Sequence, residues 1–192
     1  YFLALFAVIC QGIAYICTPD DRPDLNYEQY IYHNSMFKII AKEQLSENVF
    51  KFIVEAPRVA RSRRAGHFVI VRTGDGCERV PLTIADADKE KGTLTLVVQR
   101  VGVSTDRMCA LNAGDSLADV AGPLGRATHI ENFGTVVCAA GGVGGAPMLP
   151  IVKALKEAGN RVIVVLAARN AGLIILEKEF REVADEVMIM TD

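Results

Sequence analysis

Residues 135–170 read TVVCAAGGVGGAPMLPIVKALKEAGNRVIVVLAARN. A short apolar run, TVVCAAG, enters a glycine-rich turn. An amphipathic stretch then closes at Gly159, and a second apolar run, RVIVVLAARN, comes after it. Beyond lie a helical pattern, LEKEFREVA, and a third apolar run, EVMIM. Short apolar runs alternating with 3.6-period segments predict βαβ units and a parallel sheet. In the turn, AAGGVGGAP, residues Gly141, Gly142 and Gly144 allow backbone N–H groups to approach a pyrophosphate, and the helix N-terminus adds partial positive charge. Pro147 and Pro150 suit the first helical turn. The spacing is GGxGGxP, not GxGxxG. Its place between strand and helix is what supports nucleotide binding, the other reading being a tight crossover without ligand. Only 58 residues run from Thr135 to Asp192. Whole domains run about 100–150 residues, so a C-terminal truncation is expected.

Upstream, residues 36–130 carry a different rhythm. FKIIAKEQL and NVFKFIVEA alternate with partial period two, and GHFVIVRTG, TLTLVVQRV and DSLADVAGPLG come next, separated by Gly, Asp and Asn turns. Several short strands at close spacing predict an antiparallel barrel. One short helix is expected, around Asp106 to Leu111. Within this half, Arg79-Val80-Pro81-Leu82-Thr83 enters a strand; Arg offers a fork of donors to phosphate and Thr a hydroxyl. Gly102-Val103-Ser104-Thr105 precedes the helix and can present N–H and hydroxyl groups to an anion, or serve as a plain N-cap. Gly122-Pro123-Leu124-Gly125 reads as a turn.

Composition bounds the rest. The 192 residues are 51% hydrophobic and 23% charged, which is globular and excludes a disordered chain. With 21 basic and 23 acidic residues the net charge is -2, so nothing draws the chain generally to nucleic acid. The five Cys, at 10, 17, 77, 109 and 138, lack CxxC spacing. They point to a reduced, cytoplasmic protein with mostly buried thiols and no metal ligand set. Arg58, Arg61, Arg63 and Arg64 read as a solvated turn or a docking patch for an acidic partner. His67 reads as a strand-entry residue, and His33 and His129 as surface residues.

Residues 1–35 differ from the remainder of the chain. YFLALFAVICQGIAYIC, residues 1–17, falls short of the roughly 20 apolar residues of a membrane span, and it lacks a basic n-region and a cleavage site. TPDDRPDLNYEQYIYHNS suits a linker. An upstream or extraneous extension, a native membrane anchor and an extra buried element are the three readings.

RVPLTIAD, VVQRVGVST, GPLG and GGVGGAP occur in the order found in the ferredoxin-NADP reductase superfamily, and the chain resembles that superfamily over Met36 to Asp192. It is most similar to the FAD-bearing small subunits of NADH-dependent reduced ferredoxin:NADP oxidoreductase (sulfide dehydrogenase type) and to the electron-transfer subunit of dihydroorotate dehydrogenase. The resemblance implies an antiparallel β-barrel FAD domain followed by a truncated α/β parallel-sheet domain for NAD(P)H. It implies that Arg79, Pro81, Leu82 and Thr83 line the flavin and its phosphates, with Val97, Val98 and Gln99 on the next flavin strand. Gly102, Ser104 and Thr105 would hold the pyrophosphate. Gly141, Gly142, Val143 and Gly144 would face the nicotinamide nucleotide, with Arg169 reaching its phosphate or ribose.

Three departures stand out. Pro81 replaces an aromatic residue of the flavin motif, as in the two sister groups. Gly145 replaces a bulky apolar residue before Ala146. The [2Fe–2S] cluster is implied by the resemblance alone, because no Cys-rich segment lies in this chain. The implied activity is that of an NAD(P)H oxidoreductase subunit: electron transfer between NAD(P)H, FAD and an iron–sulfur partner, a larger catalytic subunit or a ferredoxin. No side-chain acid, base or nucleophile is needed, since the protein positions cofactors and excludes water. Service to dihydroorotate oxidation and a non-catalytic FAD-binding or interaction fragment are the alternatives.

Overall fold

In the computed structural model, which describes residues 37–192, β1 (Phe37–Ser46) and β2 (Val49–Glu55) form an antiparallel hairpin. A short helix, α1 (Pro57–Ser62), then leads to β3 (Phe68–Arg72), β4 (Val80–Asp88) and β5 (Thr93–Gln99). Helix α2 (Val103–Ala110) precedes β6 (Ser116–Leu117) and β7 (Asp119–Leu124). These seven strands make one antiparallel sheet in the order β6-β1-β2-β5-β4-β3-β7, curled into a nearly closed barrel. β6 pairs with β1 and β7 with β3, so the opposite edges of the sheet are held by one continuous segment. Ala118, between them, donates its N–H to the Arg72 carbonyl at 2.9 Å. An edge strand presents unpaired N–H and C=O groups, and this segment covers both edges.

Alternate residues of the strands fill the barrel. Ile39, Phe52, Val54, Val69, Val71, Ile84, Leu94, Leu96 and Val98 are buried in one cluster, closed by Val59 and Ala60 of α1 and by Met108 and Cys109 of α2. The expected Arg-rich turn is therefore partly helical. Pro57 takes the first helical position, where its missing N–H costs nothing. Helix α2 begins at Val103, three residues before the expected Asp106. His67 accepts from the Arg64 N–H at 3.1 Å, a strand-entry contact, and His129 is exposed beside Glu131.

The second part is a parallel sheet, β10-β9-β8, built from β8 (Thr135–Gly141), β9 (Arg161–Ala168) and β10 (Glu186–Thr191). Helix α3 (Gly145–Glu157) crosses from β8 to β9, and α4 (Glu177–Val183) crosses from β9 to β10. Its core joins Leu149, Val152 and Leu155 of α3 to Val162, Val164 and Leu166 of β9 and to Phe180 of α4. Val49, Ala85 and Val97, from the outside of the barrel, are buried in this same core. The described residues, 37–192, thus form one unit with two cores. The apolar run 1–17 lies outside the described residues; among those described, no helix is long and apolar enough to cross a membrane. Cys109 and Cys138 are buried free thiols, as expected of small hydrophobes, and burial pushes both above the ordinary thiol value.

Two polar residues fasten the second part. Asn160, almost fully buried, donates to the carbonyls of Glu131 and Leu155, each at 2.8 Å, and accepts from the Phe133 N–H at 2.6 Å. Asp185 accepts from Lys156 Nζ at 2.8 Å on each oxygen and from the Val162 N–H at 2.7 Å. The Lys156 hydrogen bond first, and then the Val162 N–H, hold its carboxyl below the ordinary 3.8. A depressed folded pKa contributes stability above the unfolded value and loses it as pH falls through the folded one. The melting-temperature gap between the native protein and Asp185→Asn is therefore expected to close as pH drops below 3.8. Thermal melts across that range check it.

Candidate functional site

The barrel motif and the start of α2 meet in space through Glu78 and Ser104, 26 residues apart in sequence. Ser104 Oγ donates to Glu78 Oε2 at 2.5 Å, which ties the β3–β4 loop to the first turn of α2. Arg107 Nη1 reaches Cys77 Sγ at 3.6 Å in a second contact between the same elements. Arg79, next to Glu78, donates from Nη1 to Asp119 Oδ2 of β7 at 2.5 Å, and its side chain is 55% exposed. The hydroxyl of Thr105 is already engaged. It accepts from the Val101 and Gly102 N–H groups at 3.0 and 3.1 Å and donates to the Gly102 carbonyl at 2.9 Å. Thr105 shapes the turn, while Ser104, in the same first turn of α2, is engaged with Glu78.

Period-two alternation sorts the β4 motif. Val80 and Leu82 pack on the barrel core, so Arg79, Pro81 and Thr83 share the opposite face. Val98 likewise points into the barrel, and Val97 is buried in the second core. Gln99 is the member of that strand that opens to a cleft. This cleft, about 760 Å³, is lined by Gln99 and Val49 from the barrel side and by Gly141, Gly142, Val143 and Arg169 from the parallel sheet. Gln99 precedes Gly102 by three residues, so the chain leaving β5 at the cleft leads into the turn before α2, whose Ser104 is tied to Glu78. A larger cavity, about 1340 Å³, lies between the barrel and α3 and touches none of the expected site residues.

The glycine turn has the form its sequence suggests. Gly141 ends β8, and Gly142–Gly144 form a single 3-10 turn that runs straight into α3. Gly142 has φ +51°, and neither it nor Gly144 has any atom within 4 Å of where a Cβ would stand. The turn therefore presents bare backbone to open space, which is the geometry for a phosphate. Gly145 differs. It is buried and helical, and a Cβ there would sit 3.5 Å from Ile175 and 3.6 Å from Phe180, ordinary contact distances. Gly145→Ala is expected to raise stability by about 0.5–1 kcal/mol, read by denaturant unfolding, because the unfolded chain loses freedom and nothing clashes.

Several residues of the site carry no sequence signal. Glu78 and Asp119 accept from Ser104 and Arg79, the two donors that the sequence reading assigns to an anion. Val101 and Val103 flank those donors and are 73% and 68% exposed. Exposed apolar side chains beside cationic and N–H donors fit a ligand that is both aromatic and anionic. Cys77 is half-exposed, and the Thr73 hydrogen bond, with Arg107, holds its thiol below the ordinary value despite some desolvation. The described residues include no group of three or more His, Cys, Asp or Glu arranged to hold a metal ion.

No family model matches the chain. It is 43% identical over 155 residues to the dihydroorotate dehydrogenase B (NAD(+)) electron transfer subunit homolog of Thermotoga maritima, over 81% of this chain and 55% of that protein. It is 34% identical over 159 residues to the corresponding electron transfer subunit of Desulforamulus reducens, over 81% and 60%. Among solved structures it superposes on a chain of NADH-dependent reduced ferredoxin-NADP oxidoreductase with TM-score 0.78 and 41% identity, covering 82% of this chain and 57% of that one. Phthalate dioxygenase reductase, at TM-score 0.68 and 20% identity over 83% of this chain and 53% of the other, shares the fold. The chain thus spans little more than half the length of the relatives it matches.

Proposed function

We propose that this chain, a homologue of dihydroorotate dehydrogenase B electron transfer subunits and of NADH-dependent reduced ferredoxin-NADP oxidoreductase with a ferredoxin-NADP reductase-like fold, is the cofactor-binding part of a flavoprotein electron-transfer subunit. In this reading residues 36–130 bind FAD and residues 135–192 belong to the NAD(P)H-binding part. Bound there, FAD would supply hydride acceptance from a nicotinamide and single-electron release to an iron–sulfur acceptor. A larger subunit or a ferredoxin would receive the electrons, in the cytoplasm. The chain's own residues bind and orient. Arg79, Ser104 and the first amides of α2 neutralise phosphate, while Pro81 and Thr83 stand on the same face of β4 as Arg79. Gly141, Gly142 and Val143, with Arg169, accept the nicotinamide nucleotide across the cleft from Gln99, and Gly144 completes their turn.

The observation that carries this reading is the contact of Ser104 with Glu78, the neighbour of Arg79, which joins two distant motifs, together with a strand, β5, that ends at the glycine-lined cleft. The test is purification of the full-length protein with its partner, followed by cofactor extraction and an iron count. Absorbance near about 450 nm that bleaches with NADH supports it. A colourless protein indifferent to nucleotides overturns it and leaves a non-catalytic interaction module. The 43% and 34% identities also favour a second assignment of the same chemistry, service to dihydroorotate oxidation. The identity of the copurifying larger subunit decides between the two. In this reading the Thr83 hydroxyl tunes the flavin, so Thr83→Val is expected to slow flavin reduction more than it weakens flavin retention. Equal, large losses of both refute that role.

A further inference from the structure

A β-bulge in β4 sets three consecutive side chains to three tasks. Register shifts between Ile84 and Asp86 against β5. Ile84 enters the barrel core, Ala85 enters the core of the parallel sheet, and Asp86 is turned toward helix α3. Bulges re-aim side chains in this way. Asp86 Oδ2 accepts from Lys153 Nζ at 2.5 Å, and Oδ1 accepts from Arg63 Nη2 at 3.1 Å. Arg63 is only 15% exposed and comes from the end of α1, on the barrel side. Lys153 lies on α3, eight residues beyond Gly145, where the glycine turn becomes helix.

One carboxylate therefore joins the strand that carries Arg79, Pro81 and Thr83 to the helix that carries the glycine turn. All three partners line the cavity of about 1340 Å³ between barrel and α3. Ala85, next to Asp86, packs into the core that α3 shares, and the ion pair adds a polar tie beside that contact at the cavity's edge. A second bridge, Lys51 Nζ to Glu179 Oε1 at 3.3 Å, ties β2 to α4.

We propose that Asp86, braced by Arg63, is a positioning residue whose contact with Lys153 sets the alignment of the glycine turn against the β4 motif. The inference rests on the cofactor assignment above. Reaction between bound partners is sensitive to displacements of about 1 Å, so loss of the contact is read as a rate effect and not as a loss of binding.

Lys153→Gln tests it in the full-length protein with its partner, because it leaves the Asp86–Arg63 pair and the barrel intact. Expected are flavin bleaching by NADH slowed by about tenfold, unchanged flavin affinity, and faster amide exchange over the first two turns of α3 but not in β2 or β5. Lys153→Arg, which still reaches the carboxylate, restores both readouts. Unchanged bleaching together with unchanged exchange overturns the proposal, as does a parallel loss of flavin affinity. If the native protein holds no flavin, the cofactor assignment fails, and the exchange measurement still decides whether Lys153 holds α3 in place.

Discussion

Arg79→Met is expected to weaken FAD retention by about 10- to 100-fold while leaving the barrel folded. A charge-assisted hydrogen bond contributes about 1.5–3 kcal/mol, and each 1.4 kcal/mol is a factor of ten in affinity. Arg79 sits more than half exposed at the start of β4, so its removal opens no cavity. Its native partner, Asp119, is itself partly exposed and can be rehydrated. Arg79→Lys should fall between the two, because an ammonium keeps the charge but loses the planar fork. Flavin titration followed by fluorescence measures the affinity, and circular dichroism checks the fold. A variant that keeps native affinity removes Arg79 from the site, and one that unfolds makes it structural.

Phe180→Ala should cost about 3–5 kcal/mol, the range for emptying a large aromatic from a packed core. Phe180 is fully buried and belongs to the second core. Its ring edge lies 3.6 Å from the Cβ that Gly145 lacks, so the same residue supports the start of α3. Equilibrium unfolding in urea gives the loss. Nucleotide binding should weaken in step, because the glycine turn depends on α3 for its direction. A loss under about 1 kcal/mol would show that the core collapses onto the space instead.

The parallel sheet is legible in the sequence because β8, α3 and β9 each keep one unbroken period, and Gly141–Gly144 announce the turn. The barrel strands are legible for the same reason. Helix α1 is not. Its six residues bury only Val59 and Ala60, too short a stripe for a period to register. The first turn of α2 is hidden because Val101 and Val103 are exposed, which no rule of patterning predicts. Leu82, Val97 and Val98 sit in the expected motif strands, yet alternation turns their side chains into the two cores. Glu78, Asp119 and Asp86 owe their importance to partners 26, 40 and 67 residues away. Pairings of that reach belong to the tertiary structure and leave no local trace.

The segment that holds both barrel edges also fixes an order of events during synthesis. β1 finds β2 at once, but its other neighbour, β6, lies about 80 residues later, a pairing of high contact order. A nascent chain on the ribosome must therefore carry five paired strands with two open flanks until Leu124 has emerged. Over that interval the unfinished sheet is a template for other strands, and chaperone capture or self-association should concentrate on intermediates that end before β7.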